Sequence, residues 1–318
     1  METRSIDEPG LLETAIGDGR SLVVLSAVIL VGCGVFAIFQ AITGNFLPHD
    51  AMYLGMSAND LCALQGCRIL HFMIHDRVSF GGVLIAIGVV YTWLALFPLA
   101  RKESWAWWAL TSSSLAGFAS FLAYLGYGYL DTWHGAATLA LAPLFFVGLL
   151  RTYRTCQSVV TPNVLELRSA AGIGRALLLL ASLGIILAGL TITFVGMTRV
   201  FVPQDLEFIG MTRTAVTSIN PHLMPLIAHD RAGFGGALAS FGFAMFACVR
   251  YARSSLALWQ ALAIAGIAGF GAAVGVHPAV GYLSFTHLAP AVLGGFVYAV
   301  GLVLSALDRG ATQVTRLS

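Results

Sequence analysis

Long apolar segments dominate this sequence and restrict what the chain can fold into. Hydrophobic residues make up 58% of it and charged residues only 10%, whereas a water-soluble domain carries roughly one quarter charged residues. Each segment is close to the roughly 20 residues that a helix needs to cross a bilayer. The segments lie near residues 21–44, 80–100, 105–127, 134–150, 175–200, 233–249, 256–276 and 286–306.

The predicted fold is therefore all-α and polytopic, with eight transmembrane helices. Backbone polar groups in lipid must pair within a helix or a closed barrel, and the alternation of barrel strands is not seen. The second and sixth helices should begin earlier, near 70 and 222, because their first turns are mixed in character. The net charge is +2 and no basic run suits nucleic acid, so the bilayer is the expected partner.

The basic residues predict the orientation of the chain. Most of the 17 Lys and Arg residues lie on the inner side if the N-terminus is inside, as the positive-inside rule requires. The acidic segment 1–20 lacks the positive start of a secretory signal, so we predict a cytoplasmic tail. Both termini are expected in the cytoplasm, at a bacterial plasma membrane.

An internal repeat divides the chain into two copies of one four-helix unit. Such self-similarity defines the architecture before any single motif does. An even number of helices inserts both copies the same way up, unlike the inverted repeats of many transporters. The first copy spans 21–155 and the second 175–308, with a cytoplasmic linker at 156–174 and a cytoplasmic tail at 309–318. The matched segments are Phe46–Asp50 with Phe201–Asp205, His75–Gly82 with His229–Gly236, and Gly128–His134 with Gly281–His287.

Several ionisable residues are kept in both copies, and ionisable groups at membrane depth usually serve a function. Helices two, four, six and eight run in the same direction, so each copy places two histidines at one depth near the outer face. We expect His75 to face His134, and His229 to face His287. The kept pairs are Asp50/Asp205, His75/His229, Asp76/Asp230, Arg77/Arg231 and His134/His287.

Two facing imidazoles suit the iron of a haem group. In this interpretation Arg77 and Arg231 bind propionates, while Asp76 and Asp230 orient imidazoles or pair with the arginines. Alternatively, the His-Asp-Arg run is only a hydrogen-bonded helix start, in which the acid favours the helix N-terminus.

Asp50 and Asp205 are the candidate catalytic acid–base groups. The alternative is that they form turns or cap helices, since each follows a proline.

A metal ion other than haem iron is a second hypothesis. Asp50, His75, Asp76 and His134 form a ligand set that Zn, Mn or non-haem Fe accept, and the four kept histidines are the candidate metal ligands. His49 occurs in the first copy only, where the second has Gln204. The remaining histidines lack a twin, so we interpret them as local; they are His71, His222 and His277.

Cys62 and Cys67 share the first outer loop, where an oxidising environment would allow a disulfide. This layout resembles the haem A synthase family, whose eight helices form two halves and whose helices two, four, six and eight carry haem-ligating histidines. The resemblance spans about 21–308. The residues that carry it are His75, Arg77, His134, His229, Arg231, His287, Cys62 and Cys67.

The chain departs from that family where Asp76 and Asp230 separate each histidine from its arginine, and it lacks a second outer cysteine pair. The resemblance thus implies haem binding more than hydroxylation of a haem methyl group. The first hypothesis is a haem-dependent membrane oxidoreductase with a hydrophobic substrate or electron donor. A non-catalytic assembly or transport component is the third, and the sequence leaves an oligomer open.

Overall fold

Eight long helices form the body of the protein. The computed structural model describes residues 13, 16–64, 66–156 and 158–314. Within those residues, eight helices are long and apolar enough to cross a membrane, which confirms the predicted all-α polytopic fold. They are α1 (Arg20–Ile42), α2 (Arg68–Leu96), α3 (Ser104–Ser120), α4 (Thr132–Tyr153), α5 (Ala170–Thr198), α6 (Leu223–Tyr251), α7 (Leu256–Val280) and α8 (Phe285–Val314).

The helix bounds agree with the sequence to within about five residues, except that α8 continues to Val314 rather than ending near 306 and so includes part of the predicted tail 309–318. α2 and α6 begin within a few residues of the predicted positions 70 and 222. α5 begins at Ala170 rather than 175, because Ser169 accepts a hydrogen bond from the backbone of Gly172 and caps the helix there. α3 continues through a 3₁₀ turn at Phe121–Ala123 into the short helix Tyr124–Tyr127.

Two of the connections between the long helices contain short helices. The connection from α1 to α2 holds Pro48–Leu54 and Ala58–Leu64, and that from α5 to α6 holds Pro203–Ile209 and Arg213–Ile219. In both connections a proline occupies the first turn, where its missing N–H costs nothing. The two connections thus have the same form.

α2 and α6 lie at the centre of the bundle. About three quarters of the apolar window of each is buried, against 39% or less for each of the other six. α2 packs mainly on α1 and α7, and α6 packs mainly on α5 and α3. The third helix of each predicted copy therefore lies against the central helix of the other copy. Neither half forms a self-contained four-helix bundle.

Glycines allow the helix pairs α1–α2 and α5–α6 to approach closely. A Cβ atom added at Gly34 would lie 2.5 Å from the carbonyl oxygen of Gly81 on α2. A Cβ added at Gly189 would lie 2.6 Å from the carbonyl oxygen of Gly235 on α6. Small residues at such crossings supply the van der Waals contact that holds helices together in lipid.

The same end of the bundle carries all four kept histidines. We call it the histidine end: it is the end at which α2, α4, α6 and α8 begin, and it carries His75, His134, His229 and His287. Beneath it lies an apolar core that includes the fully buried rings of Phe72 and Tyr282. The short helices of both connections cover this core.

Gly189→Ala should destabilise the bundle, although alanine is the better helix former. The added Cβ would contact the backbone of α6, and such overpacking costs about 1–3 kcal/mol in the free energy of unfolding. Gly184, on the same helix, has open space at its Cβ position. Gly184→Ala should leave stability unchanged or raise it by about 1 kcal/mol. The measurement is Tm in detergent, and equal Tm values for both variants would contradict the close crossing.

Candidate metal centre

A buried arginine of α2 joins the two halves at the histidine end. Arg77 donates from Nε to Asp230 on α6, with nitrogen and oxygen 2.8 Å apart, and from Nη2 to Asp50, at 2.9 Å. The side chain of Arg77 is 17% exposed and that of Asp50 only 1%. Removing one member of so buried a pair would leave its partner without compensation.

Arg231 on α6 makes the matching contacts in the other direction. It donates from Nε to Asp76 on α2, at 3.1 Å, and from Nη1 to Asp205, at 2.5 Å. Each arginine thus binds one carboxylate from its own half and one from the central helix of the other half. We call these six side chains the arginine network.

A tyrosine hydroxyl completes the network in each half. Tyr129 donates to Asp50 at 2.5 Å, and Tyr282 donates to Asp205 at 2.8 Å. Burial and the adjacent carboxylate raise the pKa of both tyrosines, so the phenols stay protonated and act as donors. Glycines with positive φ, Gly128 and Gly281, precede them and let the chain turn there.

Asp50 and Asp205 are held by the short helices before α2 and α6. Each lies in the first turn of a helix that begins with a proline, where a carboxylate is favoured by the helix N-terminus. Asp205 also accepts from the backbone N–H of Val202 at 2.8 Å. Asp205 therefore caps its helix and binds Arg231 at the same time.

Three histidines from α2, α7 and α8 converge on one point. One ring nitrogen of each of His75, His277 and His287 lies within 4.8 Å of the others. The ring centroids of His75 lie 4.5 Å from His277 and 5.3 Å from His287. We call this group the three-histidine cluster.

Hydrogen bonds orient two of these imidazoles. Nδ1 of His75 lies 3.0 Å from Oδ1 of Asp76, and Nδ1 of His277 lies 2.7 Å from the carbonyl oxygen of Ala273. A carbonyl can only accept, so Nδ1 of His277 carries the proton and Nε2 presents a lone pair. Nε2 of His277 is buried without a hydrogen-bond partner. An oriented imidazole with a free nitrogen is typical of metal ligands.

A second cluster combines α4 with α6. Nδ1 of His134 lies 3.0 Å from Nε2 of His229, and Oδ2 of Asp131 lies 3.1 Å from His134 and 3.9 Å from His229. We call this group the Asp-His-His cluster. It offers three possible ligand atoms within 4.8 Å of one another, two from imidazoles and one from a carboxylate.

Asp131 is fixed in this cluster by its position at the start of α4. Its Oδ1 accepts from the backbone N–H groups of Trp133 and His134 and lies 2.9 Å from Nε2 of His49. Burial opposes ionisation, but the hydrogen bonds and charge of His134 and the charge of His49 hold the pKa of Asp131 well below its usual range. Asp131 is therefore an anion at neutral pH.

Acidic side chains outnumber basic ones in the buried part of the histidine end. Five aspartate side chains there are at most 9% exposed, against the two arginines of the network. Uncompensated buried charge is costly in a membrane protein, so the site favours a cation. The five are Asp50, Asp76, Asp131, Asp205 and Asp230.

The histidine pairs expected from the sequence are exchanged between the halves. His134 contacts His229 rather than His75, and His75 lies against His287. The exchange has a structural cause, because α2 and α6 each face helices of the opposite half. All four histidines lie at one end of the bundle, but their partners there differ from the expected ones.

Sequence reasoning missed His277 and Asp131. His277 was interpreted as local because the first copy has Tyr124 at the matching position, and Asp131 matches Ser284. A comparison of the two copies identifies only shared residues, so it cannot identify His277 or Asp131. The available signal was that each lies at a helix end on the histidine side of the bundle. His222 does make a local contact, with its Nδ1 2.6 Å from the carbonyl oxygen of Tyr53.

The contact between His134 and His229 does not fit a haem held between these two imidazoles. A metal lies about 2 Å from an imidazole nitrogen, so two axial nitrogens are about 4 Å apart with the macrocycle between them. The facing nitrogens of His134 and His229 are 3.0 Å apart, which leaves no layer for a porphyrin. Arg77 and Arg231, expected to bind propionates, are each occupied by two carboxylates of the protein.

Cys62 and Cys67 form a disulfide just before α2. It closes a small loop next to the first short-helix pair. The second half has no cysteine in the matching connection, so this is one of the differences between the halves.

Comparisons with protein-family models, with curated proteins and with solved structures give no match for this chain. The resemblance to the haem A synthase family stays a prediction from the residues.

Arg231→Gln should lower the free energy of unfolding by about 3–5 kcal/mol, because it leaves two buried carboxylates without their cation. Arg213→Gln, at an exposed position of a short helix, should change it by less than about 0.5 kcal/mol. Unfolding of the detergent-solubilised protein by increasing denaturant measures both. If the two variants unfold at the same denaturant concentration, the network does not stabilise the fold.

Proposed function

We propose that this chain is an integral membrane metalloprotein whose two histidine clusters each bind a divalent transition-metal ion. The observation that carries the proposal is the three-histidine cluster. It brings ring nitrogens of His75, His277 and His287 together, and the free nitrogen of His277 has no other partner.

The spacing supports coordination. An ion about 2 Å from each of its ligands holds the ligand atoms about 3–4 Å apart, so small side-chain shifts close either cluster around it. Imidazole ligands suit Zn, Cu, Fe and Ni. Three protein ligands with a fourth position left open are typical of catalytic rather than structural sites.

The two clusters differ in their ligand charge. The three-histidine cluster supplies neutral ligands, and its Asp76 carboxylate stands behind His75 and compensates part of the ionic charge. The Asp-His-His cluster supplies a carboxylate directly. Two histidines and one carboxylate form the ligand set of non-haem Fe(II) oxygenases. An oxidoreductase working at this cluster is therefore the enzyme class that we propose.

We also propose that the chain consists of two copies of one unit and that both clusters lie at the outer face of the membrane. Matching contacts of Arg77 and Arg231 support two copies of one unit. The distribution of Lys and Arg supports clusters at the outer face, where metal ions from outside the cell reach them.

Metal analysis of the detergent-purified protein tests the proposal. We expect one ion per cluster by mass spectrometry, with His277→Ala losing one ion and His134→Ala losing the other. His222→Ala, a histidine outside both clusters, should keep both ions. Size-exclusion chromatography and Tm confirm that each variant is folded.

A metal-free wild-type protein would contradict the proposal, as would unchanged metal content in both cluster variants. An optical spectrum of the same samples tests the haem hypothesis. A Soret band and an α-band on reduction, lost in His75→Ala, would replace our proposal with haem binding.

Metal affinity should fall as the pH is lowered. Protonated imidazole cannot coordinate, so protons compete with the ion. The three-histidine cluster has three competing imidazoles, and its ion should therefore leave over a narrower pH range than the ion of the Asp-His-His cluster. Dialysis at stepped pH, with metal analysis of His277→Ala and His134→Ala, separates the two curves. A metal affinity that does not change with pH would contradict imidazole ligation.

A further inference from the structure

A large cavity opens beside the Asp-His-His cluster. It encloses about 650 Å³ between α1, α2, α3, α4 and α6, which is within the range of small-molecule sites. Its walls are mostly apolar, and His134, His229 and Asp131 lie at its polar end. The apolar part of the cavity is thus continuous with the space next to the candidate metal ligands.

Two glycines in the wall help to keep this space open. A Cβ atom added at Gly32 on α1 or at Gly233 on α6 would meet nothing within 4 Å. Gly233 lies one helical turn beyond His229, so its missing side chain widens the cavity next to the cluster. α1 also presents exposed apolar residues such as Phe36 and Phe39, so a molecule dissolved in the bilayer can approach from that side.

The charges at the polar end restrict what the cavity can hold. Three carboxylates line it, those of Asp50, Asp131 and Asp230, against the single guanidinium of Arg77. Arg77 is already bound by two of these carboxylates. In the metal-free protein, an anionic head group would meet an acidic surface without a free cation. A neutral head group that donates a hydrogen bond finds acceptors there.

Aromatic rings wall the same end. Phe80 lies edge-on to His134, with centroids 5.6 Å apart, and Phe121 lies edge-on to His229, at 6.3 Å. Both phenylalanines line the cavity. Aromatic pairs favour such edge and offset contacts, so a flat ring fits between the walls better than a bare alkyl chain.

We infer that the cavity binds a membrane-soluble phenol, with its ring hydroxyl toward the Asp-His-His cluster and its alkyl tail along the apolar walls. The hydroxyl donates to the Asp131 carboxylate. This inference deepens the proposed function by naming the substrate class of the same site, but its binding contacts come from the protein and do not require the metal.

Equilibrium binding of radiolabelled para-octylphenol to the protein in lipid nanodiscs tests the inference. We expect saturable binding of one phenol per chain. In protein stripped of metal by a chelator, para-octylbenzoate should bind at least about tenfold more weakly than the phenol, because its carboxylate meets the acidic end. Gly233→Leu should abolish saturable phenol binding because its side chain fills the space near the cluster. Gly184→Leu is the matched control, since Gly184 faces open space outside the cavity, and it should bind as the wild type does.

Gly32→Leu fills the opposite wall and gives a second test if Gly233→Leu is poorly folded. Equal binding of the phenol and the benzoate to the metal-free protein would overturn the inference, as would unchanged phenol binding in both filled variants. Metal content is measured on the same samples. Absence of saturable phenol binding to the wild-type protein that holds its metal counts against the cavity ligand alone, whereas phenol binding to a wild-type protein without any metal counts against the proposed function alone.

Discussion

The reciprocal contact between two arginines and four aspartates is the interaction on which the histidine end depends. Arg77 reaches across to Asp230 and Arg231 reaches across to Asp76, so the central helices cannot slide past each other without separating buried charges. Lipid gives helices little reason to prefer one register, because the hydrocarbon solvates every apolar face equally well. Charge pairing supplies the register instead, which is the best-attested use of buried polar groups.

Close helix crossings bring the arginines and aspartates of the two halves near enough to pair. Gly82 of α2 lies against the Ala268 carbonyl of α7, and Gly236 of α6 lies against Ser120 of α3. These contacts let each third helix cross to the other half. They also carry the end of α7, with His277, to the side of α2. The position of one cluster ligand thus follows from a packing contact in the middle of the bundle.

The sequence predicted the membrane fold well, because segment length and apolar composition are local properties. It also selected Asp50, Arg77 and their twins, since the comparison of two copies reveals residues that one unit needs. It could not tell which copy a side chain faces, because both answers give the same repeat. His277 and Asp131 could not be predicted for a related reason. Each occurs in one copy only, and a comparison of the two copies finds only the residues that both copies share.

Each cluster combines side chains from both halves: His75 joins His277 and His287, and His229 joins Asp131 and His134. A single four-helix unit would therefore hold no complete centre, whereas two identical units docked face to face would hold two identical ones. Joining the units in one polypeptide removes the obligation to stay identical. The two clusters do differ, since one presents three imidazoles and the other two imidazoles and a carboxylate. A chain with both halves can therefore offer two chemically different centres side by side at one end of the bundle.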